Sequence, residues 1–296
     1  MNSGTSPASH EIQGRIEPLR RTVEQRLARI GRRIRYGGFR RRVQNLLYRL
    51  YERRLREAMV GKPMPRHVGV MCDGNRRWAR DMGFVDPNDG HRVGARNVKN
   101  LLTWCDEVGV EHVTLYLLAT RNLSRPPSEL DPLLQIIEDL AAELAEEGNP
   151  WRLNIVGTLD VLPAHHAIAL KTAQERTRDR TGGVLVNLAI GYGGRQEITE
   201  AVRSLLYEHA RNGGTLEELA EVLDVEHIAE HLYTAGQPDP DLVIRTSGEQ
   251  RLSDFLLWQS AHSEFYFCDV NWPGFRKVDF LRALRSYADR QRRFGQ

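Results

Sequence analysis

The segment from Asp73 to Trp78 reads Asp-Gly-Asn-Arg-Arg-Trp and combines a carboxylate, a turn and two guanidinium groups. A carboxylate is a hard ligand for Mg²⁺, and a glycine turn exposes backbone N–H groups that, like arginine, donate to phosphate oxygens. These residue types suit a diphosphate bound with its magnesium ion. An ordinary strand-to-helix turn would have the same composition, and this segment alone favours neither interpretation.

A second candidate anion site runs from Arg245 to Ser253 and reads Arg-Thr-Ser-Gly-Glu-Gln-Arg-Leu-Ser. Arg245 and Arg251 flank a Ser-Gly turn, and three hydroxyl groups lie between and around them. Arginine forks and short hydroxyl groups both donate to phosphate oxygens. The pattern therefore favours a phosphate pocket over a salt-bridge network on a surface loop. Glu264 follows as a second carboxylate that could hold a metal ion.

Two further loops carry weaker signals. Residues 191–195 read Gly-Tyr-Gly-Gly-Arg, and glycines at the start of a helix let backbone amides approach an anion. Residues 119–127 hold two arginines before a Pro-Pro pair, where an exposed loop is the favoured interpretation. Together, these groups after at least three strands predict an α/β enzyme that acts on phosphorylated substrates with Mg²⁺. The residues alone do not fix the reaction.

The elements that must position these residues alternate along the chain. Helical patterns, including one over 128–147 with Ser128 as its expected N-cap, separate short apolar runs that predict strands at residues 67–72, 113–118, 152–157, 184–190, 241–245 and 264–268. This alternation predicts a single α/β domain over 67–296, with a mostly parallel six-stranded sheet flanked by helices. Ligands bind at the carboxyl ends of such strands, so we expect the chemistry to cluster there.

Residues 1–66 form a basic extension, since they hold 17 of the 42 Lys and Arg but only 5 of the 39 Asp and Glu. We expect disorder over 1–10 and basic amphipathic helices over 15–35 and 43–59, where apolar residues recur every three or four positions. Such helices fit peripheral contact with an anionic membrane, a solvated extension or a nucleic-acid arm. The main domain is acidic, so we expect no nucleic-acid partner.

Several classes of protein are excluded by what the sequence lacks. Three scattered cysteines form neither a disulfide framework nor a zinc site, which indicates a reducing compartment. No run approaches the roughly 20 apolar residues of a membrane span, and the amino terminus lacks the apolar core of a secretory signal. We therefore expect a cytoplasmic enzyme, with the inner face of the plasma membrane as its site of peripheral contact.

The run Val70-Met-Cys-Asp-Gly-Asn-Arg-Arg-Trp-Ala79 resembles the signature of the cis-prenyltransferases, the undecaprenyl diphosphate synthase family. Further runs match in order at residues 90–91, 122–126, 191–195, 241–253, 255–259, 264 and 292–295. The resemblance covers about 67–296 and is closest to the short-chain actinobacterial (2Z,6E)-farnesyl diphosphate synthases. It implies a homodimer that uses Mg²⁺ to condense isopentenyl diphosphate with an allylic diphosphate, geranyl diphosphate, in Z geometry.

The resemblance also implies roles for individual residues. Asp73 and Glu264 would hold Mg²⁺, and Asn122 aligns with a residue assigned as proton acceptor. Because a carboxamide is a poor base, we expect Asn122 to orient the proton's route instead. The residues implied to bind the allylic substrate are Gly74, Asn75, Arg76, Arg77, Trp78, His91, Ala119, Thr120, Arg121 and Arg125. Those implied to bind isopentenyl diphosphate are Arg245, Arg251, Leu252 and Ser253, with Arg293 reaching a phosphate site across the dimer interface.

The sequence departs from the family pattern in four places. Arg121 and Leu123 replace an acid and an aromatic residue, Gln250 replaces a common histidine, and residues 84–89 are acidic where long-chain members carry an arginine. The fourth departure is Leu117-Leu118, where long-chain members have Ala-Phe. Alternation along the strand directs one leucine inward, where its bulk would stop a growing isoprenoid tail.

Given the resemblance, this fourth departure favours a C15 product. A long-chain polyprenyl diphosphate synthase is the alternative of the same class. A non-catalytic partner subunit is the alternative of a different class, and the intact Asp73 and Glu264 argue against it.

Overall fold

The computed structural model describes residues 38–290, with side chains from residue 47 onward. Its strands are β1 (His67–Met71), β2 (His112–Ala119), β3 (Arg152–Val156), β4 (Leu185–Tyr192), β5 (Leu242–Arg245) and β6 (Glu264–Phe267). Its α-helices are α1 (Gly38–Glu57), α2 (Asn75–Asp81), α3 (Asn88–Val108), α4 (Pro127–Leu144), α5 (Ala164–Arg176), α6 (Gly194–Arg211), α7 (Leu216–Val222), α8 (Val225–Ala229) and α9 (Lys277–Asp289). The predicted helix over 15–35 lies outside the described residues.

The six strands form one sheet in the order β3-β4-β2-β1-β5-β6, and every described pair is parallel. The predicted sheet and fold class are confirmed. Every residue of β1, β4 and β5 is buried, as expected for parallel strands covered by helices on both faces. The chain leaves the neighbouring strands β1 and β5 in opposite directions, toward β2 and β6. Such a divergence opens a crevice at the carboxyl ends of the two strands.

The structure differs from the sequence pattern at the start of two helices. Helix α4 begins at Pro127 with Pro126 at the N-cap, so Ser128 lies inside its first turn and caps nothing. Proline suits this position because its fixed φ is already helical and it lacks the N–H that would be unpaired there. The sequence pattern did not predict helix α2, since its seven residues are too few to show a helical period.

The chain divides into two compact units, residues 1–51 and 52–296. In the second unit Leu55 and Met59 are buried and Arg56 pairs with Glu107, so residues 52–66 pack with the elements that follow. This unit therefore begins ahead of residue 67, where the sequence pattern placed the domain boundary. Within residues 38–290, no helix has the length and apolar character required to cross a bilayer.

A buried polar chain crosses the amino ends of the strands. Nδ1 of His67 lies 2.6 Å from the Pro238 carbonyl oxygen, which only accepts, so Nδ1 carries the proton of the neutral ring. Nε2 then accepts from the Thr114 hydroxyl at 2.8 Å, and Thr114 Oγ1 accepts from Asn187 Nδ2 at 3.0 Å. Burial is the main cause that lowers the pKa of His67 to about 4.

This histidine should make the fold sensitive to acid. Because the pKa of His67 is about 4 when folded and 6.5 when unfolded, the unfolded chain binds the extra proton between these values. The neutral, buried ring of His67 therefore contributes fully to stability above pH 6.5. This contribution is lost as the pH falls toward 4, which lowers the free energy of unfolding by about 3 kcal/mol. Urea denaturation of wild type and His67→Gln across this window should show their stability difference shrinking by that amount.

The exposed His262→Gln is the matched control and should follow the wild-type pH profile. A stability difference between wild type and His67→Gln that stays constant from pH 7.5 to 4 would contradict this account of His67.

Candidate active site

Asp73 and Arg245 meet where the neighbouring strands β1 and β5 end. The register pairs Met71 with Arg245, and Asp73 follows β1 two residues later. Arg245 Nη2 donates to Asp73 Oδ2 at 2.7 Å, with 3% of the arginine side chain and 44% of the aspartate side chain exposed. The sheet therefore supplies a fixed, buried cation beside a carboxylate that is open to solvent.

The loop after β5 wraps around the Arg245 guanidinium. Arg245 Nη1 donates to Ser253 Oγ at 2.8 Å and to the Arg251 carbonyl oxygen. Four non-glycine residues of this loop have positive φ, namely Ser247 (75°), Ser253 (48°), Asp254 (68°) and Leu256 (45°). Such backbone strain persists only where surrounding contacts hold it, and it clusters at functional sites.

A cavity of about 240 Å³ opens in front of Asp73. Its lining contains Asp73 as the one carboxylate among the described residues and five arginines, which are Arg76, Arg77, Arg80, Arg121 and Arg125. This excess of positive charge suits a ligand with several negative charges, such as a diphosphate. Arg80 was missed by the sequence analysis, although it lies one helical turn after Arg76, on the same face of α2.

Glycines let α2 approach its neighbours closely enough to shape this cavity. Gly74 has φ of 96° at the N-cap of α2, and a Cβ there would lie 2.3 Å from Asn271 Oδ1. A Cβ on Gly94 of α3 would lie 2.2 Å from Asn75 Oδ1. Asn75 Nδ2 in turn donates to the Cys72 carbonyl oxygen at 2.7 Å, which fixes the turn between β1 and α2.

His91 on α3 lines the same cavity. Burial, followed by the positive charges of Arg125 and Arg76, lowers its pKa to about 4. The ring is therefore neutral near pH 7 and offers a hydrogen bond rather than a charge. Burial and the nearby Arg76 also lower the pKa of Arg125, which shows how closely the cations of this cavity are packed.

A smaller apolar cavity of about 40 Å³ adjoins the arginine-lined one. The lining residues common to both cavities are Cys72, Asn75, His91, Leu117 and Leu133. The remainder of the small cavity is apolar apart from backbone and consists of Gly94, Ala95, Val98, Ile136, Ile137, Leu140 and Trp272. An elongated ligand with a charged head and a short hydrocarbon tail would match the two cavities together.

A β-bulge aims Leu117 at these cavities. The register runs from Tyr116–Ala189 to Leu118–Ile190, so Leu117 is the extra residue of β2. Such bulges redirect a side chain out of strict alternation. Leu117 lines both cavities, whereas Leu118 is fully buried in the core. Of the two leucines predicted to limit product length, only Leu117 lines the cavities, and its role stays a prediction.

The loop after β2 contributes part of the cavity wall. Ala119, Arg121, Asn122 and Arg125 line the cavity, and residues 120–124 form a 3₁₀ helix. Thr120 does not line it, because its hydroxyl donates to the Gly191 carbonyl oxygen at 3.2 Å. The sequence motif taken alone favoured an exposed loop for this segment. In the structure the segment forms part of the cavity wall instead.

One further predicted binding residue lies away from the cavity, and another falls outside the described residues. Trp78 stacks on Phe84 with ring centroids 5.5 Å apart and does not line the cavity, because it lies on the face of α2 that packs against the following loop. The predicted role of Arg293 falls outside the described residues.

The predicted anion site at residues 191–195 is filled by the protein itself. The Arg195 N–H donates to Asp254 Oδ1 at 3.0 Å, and the Gly194 N–H donates to the Asp254 carbonyl oxygen at 2.7 Å. A Cβ on Gly193 would lie 2.7 Å from Asp254 Oδ2. The glycines therefore admit a carboxylate of the neighbouring loop, and this helix start is closed to a substrate phosphate.

Glu264 does not converge with Asp73 as expected. The register pairs Glu264 with Leu242 and Phe267 with Arg245, so Glu264 begins β6 at the amino side of the sheet. Three residues of strand separate it from the level of Arg245, which is roughly 10 Å. Its carboxylate accepts from Arg290 instead. Its role in binding a metal ion stays a prediction.

A family model described as putative undecaprenyl diphosphate synthase matches residues 71–295. The chain belongs to this family. Membership in the undecaprenyl diphosphate synthase family confirms the predicted enzyme class, a prenyl transferase. It also accounts for a site whose cations face a cavity with an apolar end.

Relatives within this family have narrower names. The chain is 66% identical over 249 residues to the (2Z,6E)-farnesyl diphosphate synthase of Thermobifida fusca, covering 84% of this chain and 97% of the relative. It is 53% identical over 257 residues to the short-chain Z-isoprenyl diphosphate synthase of Mycobacterium leprae, covering 86% and 98%. Lavandulyl diphosphate synthase from Lavandula x intermedia, solved in complex with dimethylallyl diphosphate, matches with a TM-score of 0.72 at 33% identity, covering 79% and 99%.

The side chains at Asp73 fit the Mg²⁺ that the family resemblance implies. Mg²⁺ in proteins is commonly held by one or two carboxylates and completed by water and substrate phosphates. Asp73 is half-exposed at the cavity, and Arg245 engages its Oδ2. Among the described residues, no three or more His, Cys, Asp or Glu side chains group together in a way that could hold a metal ion. Asp73 would therefore share the ion with a diphosphate.

Proposed function

We propose that this prenyl transferase condenses isopentenyl diphosphate with geranyl diphosphate to give (2Z,6E)-farnesyl diphosphate. The observation that carries the proposal is the Asp73–Arg245 pair, which joins an arginine-lined cavity to a second cluster of phosphate donors at Arg251 and Ser253. Two adjacent anion sites are what a reaction between two diphosphates requires. The names of the relatives from Thermobifida fusca and Mycobacterium leprae support the short product.

In this proposal the allylic diphosphate occupies the arginine-lined cavity and its hydrocarbon tail points past Leu117. Arg76, Arg77, Arg121 and Arg125 stabilise the negative charge that builds on the departing diphosphate. Mg²⁺, when held by Asp73 and the diphosphate, would add Lewis-acid stabilisation of the same charge. Breaking the allylic C–O bond leaves a carbocation that only a nearby nucleophile can capture productively.

Isopentenyl diphosphate would occupy the loop around Arg245. Nε of Arg245 is buried without a hydrogen-bond partner among the described residues, and the loop around the guanidinium supplies the hydroxyl of Ser253 and the side chain of Arg251 as further donors. The isopentenyl double bond attacks the allylic carbon, and the adduct then loses a proton from the carbon next to its own CH₂–O group. Because both diphosphates are fixed, the approach and the face that loses the proton are fixed as well.

Asn122 would orient this proton transfer rather than accept the proton. It lines the cavity on the 3₁₀ helix after β2, but a carboxamide is a poor base. The departing diphosphate is the stronger acceptor in the same cavity, so we assign to Asn122 a hydrogen bond that guides the proton toward it.

The test of the function is incorporation of radiolabelled isopentenyl diphosphate in the presence of Mg²⁺, with dimethylallyl, geranyl or farnesyl diphosphate as acceptor. We expect geranyl diphosphate to be the best acceptor and a single C15 product with a new Z double bond. Products of C50 or longer would favour a long-chain polyprenyl synthase. A failure to incorporate label with any acceptor would favour a non-catalytic subunit.

Leu117→Ala should lengthen the product. Removing this side chain opens the wall between the two cavities, so the C15 product can extend and accept further isoprene units. We expect C20 and longer products to become a major fraction in the incorporation assay. The control is Leu118→Ala, which empties core volume at a cost of about 2–5 kcal/mol and should leave product length unchanged. Unaltered products from Leu117→Ala would contradict the role of the bulge.

Assembly and location stay proposals. We infer a homodimer whose interface includes β6, an outer strand of the sheet where Phe267 is 39% exposed. Glu264 begins this same edge strand. Dimerisation would therefore bring Glu264 close to a diphosphate bound by the partner subunit, although it lies away from the site of its own chain. We also expect a cytoplasmic enzyme whose basic amino-terminal segment contacts anionic lipid peripherally.

A further inference from the structure

One carboxylate, that of Glu249, joins the two clusters of phosphate donors. Glu249 Oε1 accepts from Arg77 Nη2 at 3.2 Å, and Glu249 Oε2 accepts from Arg251 Nη1 at 2.5 Å. Arg77 lines the arginine-rich cavity, whereas Arg251 belongs to the loop that wraps around Arg245. Each oxygen of a single side chain therefore contacts a cation from a different cluster.

The backbone around Glu249 is fixed by hydrogen bonds, so it can hold the Glu249 side chain in one position. Ser247 and Gly248 both have φ of 75°, and their N–H groups donate to the carbonyl oxygens of Val270 and Cys268, each at 2.9 Å. Arg77 Nη1 also donates to the Ser247 carbonyl oxygen at 2.9 Å. The strained turn thus directs Glu249 back over α2.

The guanidinium groups of Arg77 and Arg251 depend on a partner to hold them in one position. Their side chains are 49% and 60% exposed, so without a partner each guanidinium would sample many rotamers, whereas only 29% of the Glu249 side chain is exposed. The hydrogen bond from Arg77, and then the charge of Arg251, lower the pKa of Glu249, so it is ionised at neutral pH. The carboxylate also offsets repulsion among the crowded cations.

We propose that Glu249 is a positioning residue that fixes the guanidinium groups of Arg77 and Arg251 relative to each other, and so sets the spacing between the two bound diphosphates. This inference rests on the proposed function, in which each arginine belongs to a different substrate site. It assigns to Glu249 no contact with the reacting atoms. The expected signature is a coupled defect, since one substitution should weaken both sites.

The experiment compares wild type with Glu249→Gln, which keeps the shape and loses the charge. In steady-state kinetics we expect the KM values for isopentenyl and geranyl diphosphate each to rise about three- to tenfold, in keeping with partly exposed ion pairs. Isothermal titration with inorganic pyrophosphate should show both binding events weakened by a similar factor. The melting temperature and the Mg²⁺ concentration for half-maximal activity should stay at wild-type values.

Two control variants sharpen the comparison. Glu129 pairs with Arg76 alone, at 3.0 Å, so Glu129→Gln should raise only the KM for geranyl diphosphate. Glu111 pairs with Arg66 at the amino end of the sheet, so Glu111→Gln should leave both KM values unchanged.

The proposal is overturned if Glu249→Gln weakens one site only or neither. It is equally overturned if the Mg²⁺ requirement shifts by more than threefold, because Glu249 would then act as a metal ligand. The pyrophosphate titration needs no turnover, so it tests Glu249 even if wild type fails to incorporate isopentenyl diphosphate. That failure would reject the proposed function instead.

Discussion

Asp73→Asn should lower kcat by about 10³-fold while the protein stays folded. The amide keeps the size of the side chain and can still accept a hydrogen bond from Arg245, so the junction of β1 and β5 is preserved. What it loses is the negative charge that would hold Mg²⁺ against the departing diphosphate. The defect should therefore appear in kcat and in the Mg²⁺ concentration for half-maximal activity, more than in the KM for either substrate.

The matched control for this variant is Asp139→Asn, an exposed carboxylate on α4 that accepts from Gln135. It should keep wild-type kinetics, and thermal melting should show both variants folded. An Asp73→Asn enzyme with wild-type turnover would remove the metal role of Asp73 and with it the proposed mechanism.

Arg245→Gln should raise the KM for isopentenyl diphosphate about 100-fold. The variant loses the hydrogen bonds to Asp73, Ser253 and the Arg251 carbonyl oxygen. The 100-fold rise corresponds to about 2.7 kcal/mol, which is the loss of about one charge-assisted hydrogen bond to the diphosphate. The strained loop after β5 then loses the group around which it folds. The measurement is steady-state kinetics with isopentenyl diphosphate varied at saturating geranyl diphosphate.

Arg245→Lys provides a second variant in case the glutamine substitution unfolds the protein. Lysine keeps the charge but cannot reproduce the planar fork, so we expect a KM between those of wild type and Arg245→Gln. The exposed Arg66→Lys serves as the control and should behave as wild type. An unchanged KM in both Arg245 variants would place isopentenyl diphosphate somewhere other than the loop after β5.

Much of this site could be predicted because it follows from where buried strands end. Asp73 and Arg245 each stand beside an apolar run that periodicity identifies as a strand, and adjacent parallel strands end at the same edge of the sheet. Arg76 and Arg77 of α2 follow the same strand end, whereas Arg121 and Arg125 of the loop after β2 were assigned to the site by the family resemblance, and Arg80 was missed. Composition alone distinguished neither segment from an ordinary turn, and the family resemblance supplied the substrates.

The other features of the site depend on contacts between residues that are far apart in the sequence, and no local sequence pattern reveals such contacts. The bulge at Leu117 arises from the pairing of β2 with β4, so no pattern within β2 decides which leucine faces the cavity. Asp254 occupies the glycine-rich start of α6 from a position about 60 residues along the chain. Glu264 was expected beside Asp73 because the family resemblance gave both residues a role in holding Mg²⁺, although Glu264 begins its strand, as the predicted strand over 264–268 already indicated.

The central claim is that the end of β1 and the end of β5 hold two diphosphates side by side. A crystal structure with Mg²⁺, isopentenyl diphosphate and an unreactive thiolo analogue of geranyl diphosphate tests this most directly. We predict the analogue's diphosphate on Asp73 and the arginines of α2, its tail against Leu117, and isopentenyl diphosphate on Arg245, Arg251 and Ser253. Electron density that places both diphosphates away from the Asp73–Arg245 pair would contradict the account.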